Sequence, residues 1–435
     1  MSHNTLRSAV RGRVLLPGDA EFDNARTPWN LNIDQPVAAV VEVEDADDMA
    51  AVVGYARSAG LSVTAQPNGH GASGNTADSI LIRTGRLDQV EVDPVRRRAR
   101  VGAGTNWGQV QSAAAPHGLT GLAGSSPVVS VVGYTLGGGL SWFGRKHGWA
   151  ADSVRAFDIV DPEGRPARVT AESDPELFWG LRGGGGDFAL VTAMEFDLFP
   201  APALFGGLIA WPAARTDAVR AAFREITDNA PPELTVWLNR LELPQAPPVI
   251  AIATTYLGEP AHARELLRQL DAIDGALADT RRELSPAELG AIVNEPTAPG
   301  PGLIRTEVLT TLDETAAEIL LHTPIDPLMG IQLRQLGGAL AEPTDGAVPS
   351  FAEPYTLSLQ AIGSAPDTVA AVQATQKRII AELGARVSGR KPFTVLSAGD
   401  SATEVFDAGT LDRLRKLKHT RDPHGMFRSN FPILH

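Results

Sequence analysis

Apolar residues recur along this chain in two rhythms. Pro36 opens an apolar run, Val37 to Val43, that reads as a strand. Asp45 to Asp48 then cap a segment in which Met49, Val52, Val53 and Ala56 fall at helical spacing, and Gly60 ends it. A second strand, Leu61 to Ala65, runs into the loop Gln66-Pro67-Asn68-Gly69-His70-Gly71. Short strands follow at Ser79 to Ile82, Gln89 to Asp93 and Ala99 to Ala103, and a helix begins near Thr105 and stops at Pro116-His117-Gly118. Beyond an uncharged run, Gly118 to Gly144, the pattern predicts a hairpin (Val154 to Val160 and Arg165 to Thr170). A short helix follows with Leu177, Phe178 and Leu181 on one face, and then strands through Phe188, Leu190, Met194, Phe196 and Leu198. Pro200 and Pro202 mark a domain boundary. From about 203 to 385 the texture changes to longer helices, Asp217 to Thr227, Ala261 to Ile273, Glu314 to His322 and Asp367 to Leu383, alternating with apolar strands. A last helix spans Thr410 to Arg421. This mixture of element types predicts an α+β or α/β architecture, with no internal repeat.

Composition narrows the function. The 435 residues carry 51 acidic and 38 basic side chains, a net charge of −13, and no cysteine. An acidic balance without a basic tract argues against a nucleic-acid partner. Zero cysteine removes disulfides, thiolate nucleophiles, cysteine-ligated zinc, iron–sulfur clusters and thioether links to a cofactor; no metal site is expected. Met1 to Val14 lacks the continuous apolar stretch of a secretory signal, and the glycines of 118–144 suit no membrane helix, so a cytoplasmic location away from membranes is expected. Lysine is scarce beside arginine, while Ala, Gly and Pro abound, which suggests a bacterial genome rich in G and C.

Three glycine-dense turns, at 67–71, 133–139 and 183–186, lie within the first 200 residues. Any one of them reads as a tight turn needing positive φ. Three in one domain point to a cofactor with a diphosphate, because successive backbone N–H groups form anion-binding nests. The G-x-G-x-x-G fingerprint with its downstream acid and the GxxxxGK[ST] loop are both absent from the N-terminal unit, so neither a Rossmann dehydrogenase nor a P-loop enzyme fits.

Five ordered motifs carry a resemblance. They are Pro67-Asn68-Gly69-His70-Gly71 after a strand; Gly124-Ser125-Ser126-Pro127 leading to Gly133-Tyr134-Thr135-Leu136-Gly137-Gly138-Gly139; Arg145-Lys146-His147-Gly148; Leu181-Arg182 followed by Gly183 to Gly186, Asp187 and Phe188; and Asp422-Pro423 with Phe427-Arg428-Ser429-Asn430. Together they resemble the berberine bridge enzyme-like branch of the vanillyl-alcohol oxidase flavoproteins. The resemblance implies an α+β chain with a two-part FAD-binding domain of the p-cresol methylhydroxylase type, residues 1–200 and a returning segment 386–435. Between them it implies a substrate domain, 201–385, with an antiparallel sheet and covering helices. FAD contacts are implied for Pro67, Asn68, Gly69, His70 and Gly71; for Gly124, Ser125 and Ser126; for Gly133, Leu136, Gly137, Gly138 and Gly139; and for Trp142, His147, Gly186, Val191 and Asn430.

His70 aligns with the histidine that, in this family, carries the 8α-methyl group of the flavin. Gln66 stands where an arginine commonly precedes that turn. Relatives often have a second, cysteinyl tether in the middle motif. Here Ser126, or its neighbour Ser125, takes the place, and a hydroxyl cannot supply the sulfur nucleophile, so one covalent link is the maximum. The family's tyrosine and asparagine before the last helix are replaced by Phe393 and Val395. Tyr134, Tyr256 and Tyr355 are therefore the candidate catalytic residues, the last two on predicted substrate-domain strands; each has packing as its alternative reading. Asp187 replaces an asparagine and is either a charge beside the cofactor or a turn residue. Trp211, Trp237, Phe351 and Tyr355 are candidate pocket walls. The implied activity is oxidation of a small hydroxylated or amine-bearing molecule, such as a secondary metabolite, by hydride transfer to flavin N5 with O2 as acceptor. A flavin-dependent oxygenase or cyclase, or a noncatalytic binder, stands as the alternative. Oligomeric state is not readable.

Overall fold

The computed structural model describes residues 3–434 and contains three principal sheets. In the first, β1 (Arg13–Leu15) pairs antiparallel with β2 (Ala39–Glu42), while β2 and β3 (Ser62–Ala65) both run parallel to the central β4 (Ser79–Arg83), in the order β1-β2-β4-β3. The helix Ala46–Ala59 carries the chain from β2 to β3 on the far side of β4, and the loop 66–78 makes the crossover from β3 back to β4. Asp45 caps this helix by accepting from the N–H groups of Asp47 and Asp48, and Gly60 in the left-handed region closes it.

The second sheet is antiparallel, β5 (Val90–Asp93), β6 (Arg98–Gly102), β8 (Val154–Val160), β9 (Pro166–Val169) and β10 (Leu190–Asp197), in the order β5-β6-β10-β8-β9. Two short strands, β7 (Leu119–Thr120) and β11 (Phe199–Pro200), pair on their own. One contiguous core lies between the first two sheets and the glycine-rich segments, with Val41, Met49, Val101, Trp107, Phe157 and Phe188 fully buried.

The third sheet is larger and wholly antiparallel: β12 (Leu204–Pro212), β13 (Leu234–Leu241), β14 (Val249–Leu257), β15 (Ala278–Asp279), β16 (Arg282–Glu283), β17 (Gly302–Leu309), β18 (Gly330–Gln335) and β19 (Tyr355–Ile362). Its order is β15-β12-β14-β13-β18-β19-β17, with β16 also on β12. Strand alternation divides this sheet into two faces. Leu234, Val236 and Leu238, with Ile250, Ile252, Leu357 and Leu359, join a core with Val219, Phe223, Val372 and Ile379 of the helices Thr216–Asn229 and Pro366–Leu383. The opposite face turns toward the first 200 residues, where Trp237, Ala253 and Leu257 enter the other core.

Two expected helices are not continuous. Ala261 to Ile273 breaks at Leu267 into Pro260–Leu266 and Arg268–Asp271, and Glu314 to His322 begins as an α-helical turn and widens into a π-helix over Glu318–His322. In both stretches the buried residues, Ala263, Leu267 and Leu270 in the first and Ala316, Ala317, Leu320 and Leu321 in the second, join the core on the helix-covered face of the large sheet.

The C-terminal segment returns to the first sheet. Val63 donates to the Met426 carbonyl at 2.7 Å and accepts from Arg428 N–H at 2.9 Å, so the tail adds to the free edge of β3. A buried ammonium secures it: Lys418 Nζ donates to the carbonyls of Asp187 (2.6 Å) and Phe427 (2.8 Å) and to Asp422 Oδ2 (2.8 Å). Asp422 in turn accepts from the N–H groups of Met426 and Phe427. Lys418→Met should leave the buried Asp422 unpaired and cost about 3–5 kcal/mol, read as a lower midpoint in urea unfolding. An unchanged midpoint would show that the clamp contributes nothing.

Candidate functional site

Strand β3 ends at Ala65, and the loop that follows is shaped by Gly69. Its φ is +72°, and a Cβ there would lie 2.8 Å from the Cβ of Pro28, so only glycine fits without displacement. The turn places the His70 ring on Trp29, centroids 4.0 Å apart and nearly parallel. Burial pushes the His70 imidazole down to about 4, so the ring is neutral at pH 7, and its Nδ1 is buried with no hydrogen-bond partner. Neighbouring side chains tie this loop to two others. Asn68 Nδ2 donates to the Val128 carbonyl at 2.6 Å, and Gln66 Nε2 donates to Asn430 Oδ1 at 3.0 Å. Ser73 and Asn75 donate to the carbonyls of Asn430 and Ser429, so the tail lies along the histidine loop.

The middle motif forms the other wall. Ser130 caps the short helix Val131–Leu136, whose Gly133 is exposed, and Gly137, Gly138 and Gly139 wrap back against it. Gly185 N–H donates to the Leu136 carbonyl at 2.9 Å, joining the second and third glycine turns. Gly185 has φ +87°, and a Cβ would meet the Phe393 ring at 2.7 Å. Phe393 is thus a packing residue over the glycine turns, with Phe406 and Phe431 around it. Ser126 Oγ is buried and unpartnered. Gly186 is half-buried, and Val191 sits in the core at a bulge of β10.

Asp187 resolves in favour of architecture. Its carboxylate accepts from the N–H groups of Ser429 (3.0 Å) and Ile433 (2.6 Å), holding the tail in place. Arg145 is a brace as well: its guanidinium donates to the carbonyls of Leu234, Leu336 and Ala230, fastening the third motif to the large sheet. His147 packs on Phe199 at 4.2 Å, is kept neutral by burial (about 4), and has Nε2 without a partner.

The tyrosines require a correction. Tyr256 and Tyr355 were expected to reach the flavin face from their strands, but both rings lie on the helix-covered face. Tyr256 Oη pairs with His262 Nδ1 at 2.7 Å, and Tyr355 Oη pairs with Thr227 Oγ1 at 2.8 Å while its ring meets Phe223. Strand parity is the reason, since the apolar neighbours Ile250, Ile252, Leu357 and Leu359 share their side. Tyr134 does line the glycine turns, but its hydroxyl donates to the Leu122 carbonyl at 3.2 Å, and burial drives the phenol far above its ordinary value. Trp211 and Phe351 are likewise enclosed, Trp211 with its indole N–H on the Ile273 carbonyl.

What faces the glycine motifs is a polar ribbon across the large sheet. Gln332 pairs with Asn239, and Arg334 with Trp237, in register on β13 and β18. Gln332 Nε2 donates to Asn239 Oδ1 at 2.7 Å, Arg334 Nε donates to Gln332 Oε1 at 2.5 Å, and Thr306 Oγ1 meets Ser358 Oγ at 3.0 Å. Trp142 of the middle motif stacks on Trp237 with ring centroids 3.5 Å apart. Glu295 projects beside the ribbon, accepts from Ser125 Oγ at 2.5 Å, and lies 3.9 Å from Arg334. Trp237 was expected as a pocket wall and Trp142 and Ser125 as FAD contacts, but Asn239, Gln332, Arg334, Thr306 and Ser358 were not among the expected site residues. Their signal was there, as polar side chains at alternate positions in strands whose other positions are apolar.

The residues present fit FAD. His70 Nδ1, Gln66 Oε1, Ser126 Oγ and Ser429 Oγ are buried polar atoms without partners on loops bonded to one another, which suits a cofactor with its own donors and acceptors. Cβ-free, exposed backbone at Gly133 suits close approach of a diphosphate or ring. Pro67, Gly71 and Gly124 sit on the same loops.

Residues 37–170 match the family described as FAD binding domain. An FAD-dependent monooxygenase, tpcD of Cochliobolus heterostrophus, is 36% identical over 207 residues, 46% of this chain and 40% of the relative, so the chain spans well under half of that protein's length. This fungal relative lends no support to a bacterial source. Among solved structures, 6-hydroxy-D-nicotine oxidase from Arthrobacter nicotinovorans superposes with a TM-score of 0.87 over 100% of this chain and 99% of its own at 22% identity. A variant of the berberine bridge enzyme-like protein 1 of Physcomitrella patens gives 0.87 over 99% of each chain at 19% identity. The chain therefore has, along its whole length, the fold of the FAD-linked oxidases of the p-cresol methylhydroxylase type, with an FAD binding domain matched over residues 37–170.

Proposed function

We propose that this protein is an FAD-dependent oxidoreductase that oxidises a small hydroxylated or amine-bearing organic molecule. The observation that carries the proposal is the pairing of two surfaces: a His70 loop with an unpartnered buried ring nitrogen, and a polar ribbon on the large sheet. The segment Ser125–Val128 is bonded to both, through Val128 to Asn68 and through Ser125 to Glu295. In this reading residues 1–200 and 386–435 hold FAD and 201–385 present the substrate. When bound, FAD supplies a two-electron acceptor for the hydride of a substrate C–H bond, and O2 takes the electrons on to hydrogen peroxide.

The chain's own residues orient the substrate and take its proton. Asn239 and Gln332 offer amide groups, and Trp237 with Trp142 form a flat apolar wall. Phe393 and Val395 cannot accept a proton, Tyr256 and Tyr355 face the helices, and Tyr134 stays protonated. Glu295, held by Ser125, is the carboxylate beside the ribbon and takes the proton from substrate OH or NH. His70, neutral and with a free ring nitrogen, is the residue through which FAD is tethered; the serines at 125 and 126 leave no second tether.

A second reading, oxygenation on the same scaffold, draws on the likeness to a monooxygenase over 207 residues. Isotopic oxygen separates the two, since ¹⁸O₂ labels the product of an oxygenase and leaves that of an oxidase unlabelled.

Acid-precipitated wild-type protein should keep its yellow colour in the pellet, whereas His70→Ala should release it to the supernatant. Release from the wild type would remove the tether, and a colourless native protein would remove FAD altogether. Anaerobic bleaching should identify a substrate among small alcohols, amines and metabolites. Glu295→Gln should then slow bleaching by roughly 10²- to 10⁴-fold. An unchanged rate would assign the proton to another group.

A further inference from the structure

Arg334 is held in a way that leaves its charge unused. The Trp142 ring stacks on Trp237 at 3.5 Å, and the Arg334 guanidinium lies 4.0 Å from the centroid of the same Trp237 ring. Two planar groups that close to one ring cannot share a face, so Trp237 is sandwiched between Trp142 and Arg334. This stack fixes the guanidinium by its flat face. Its Nε is occupied by Gln332, which is itself fixed by Asn239. Among the described residues none accepts a hydrogen bond from Nη1 or Nη2 of Arg334. Glu295, the nearest carboxylate, stands at 3.9 Å from Nη2, beyond hydrogen-bond reach, and its Oε1 is engaged by Ser125.

The surroundings make that arrangement costly without a ligand. Arg334 retains 22% of its side-chain exposure, on the face of the sheet turned toward Tyr134 and the glycine motifs, and burial depresses its pKa. A desolvated cation with two free donor groups is unfavourable unless an acceptor arrives. The guanidinium fork matches a carboxylate in two parallel hydrogen bonds, which a point-charged lysine could not reproduce. Asn239 Nδ2 is also without a partner but is neutral, which leaves Arg334 as the cationic donor available to a ligand.

We propose that Arg334 is the anchor for a carboxylate on the substrate, so that the molecule oxidised here is a small organic acid. This deepens the oxidoreductase reading, on which it rests for the identity of the site. The carboxylate docks on Nη1 and Nη2, and Glu295, nearly 4 Å away, is left beside the group that loses its proton.

The test uses the purified full chain and two probes of one shape, benzoate and the neutral benzamide, titrated by calorimetry. Wild type should bind benzoate at least about tenfold more tightly than benzamide. Arg334→Met, which keeps much of the side chain's volume, should erase that preference, and Arg334→Lys should restore only part of it. Glu295→Gln, by removing the competing negative charge, should tighten benzoate and leave benzamide unchanged. Equal binding of the two probes by the wild type, no binding of benzoate, or a preference that survives in Arg334→Met would each overturn the anchor. A visible spectrum altered in Arg334→Met before any probe is added, with the benzoate preference intact, would make Arg334 a cofactor contact instead. The colour of the same sample reports on FAD independently, so a colourless protein that still prefers benzoate would retain the anchor and discard the flavin reading.

Discussion

The returning tail depends on one buried ammonium. Lys418 gathers the carbonyls of Asp187 and Phe427 and the carboxylate of Asp422, and through them it binds the last helix, the third glycine turn and the tail at one point. The chain order separates these pieces by more than 200 residues, and in between lies the whole of the large sheet. Besides this tie inside the core, the tail is held by its short pairing with β3 and by the hydrogen bonds of Gln66, Ser73 and Asn75 to Ser429 and Asn430. Asp187 completes the arrangement from the other side by accepting from Ser429 and Ile433. The cost of burying these charges is offset because every donor meets an acceptor at close range.

A second set of contacts sets how the large sheet sits over the glycine motifs. Arg145 donates to three carbonyls on the other side, and Trp142 lies flat on Trp237. Both residues belong to the segment that closes the middle motif. The same few turns of chain therefore shape the proposed cofactor side and lock the proposed substrate side onto it. That economy explains why Arg145 and Asp187, charged residues inside flavin-like motifs, prove to be structural.

A phenylalanine ring at 393 leaves the proposed acid–base chemistry to the other side of the interface. Phe393 fills the space above Gly185 and Gly137. The polar groups are instead on the sheet and on the loop at Glu295. Serine at positions 125 and 126 has a related consequence: a hydroxyl that cannot tether a cofactor is free to bind a carboxylate, and Ser125 does so.

Much of the fold was legible in the sequence because it is written in local chemistry. The capped helix after Val43, the hairpin at 154–169 and the glycine turns each depend on residues a few positions apart, and the order of the motifs pointed to the FAD binding domain matched over residues 37–170. The face on which a strand residue points was not legible, since it turns on parity across neighbouring strands. Tyr256 and Tyr355 were misjudged for that reason, and Asn239, Gln332 and Arg334 were missed for the same one. Nor could the sequence show that Glu295 would meet Ser125, or that Arg334 would lie on Trp237 with its outer donors free. Ser125 and Glu295 are 170 residues apart and meet only where the large sheet closes onto the glycine motifs, while Arg334 reaches Trp237 only through the register of β18 on β13.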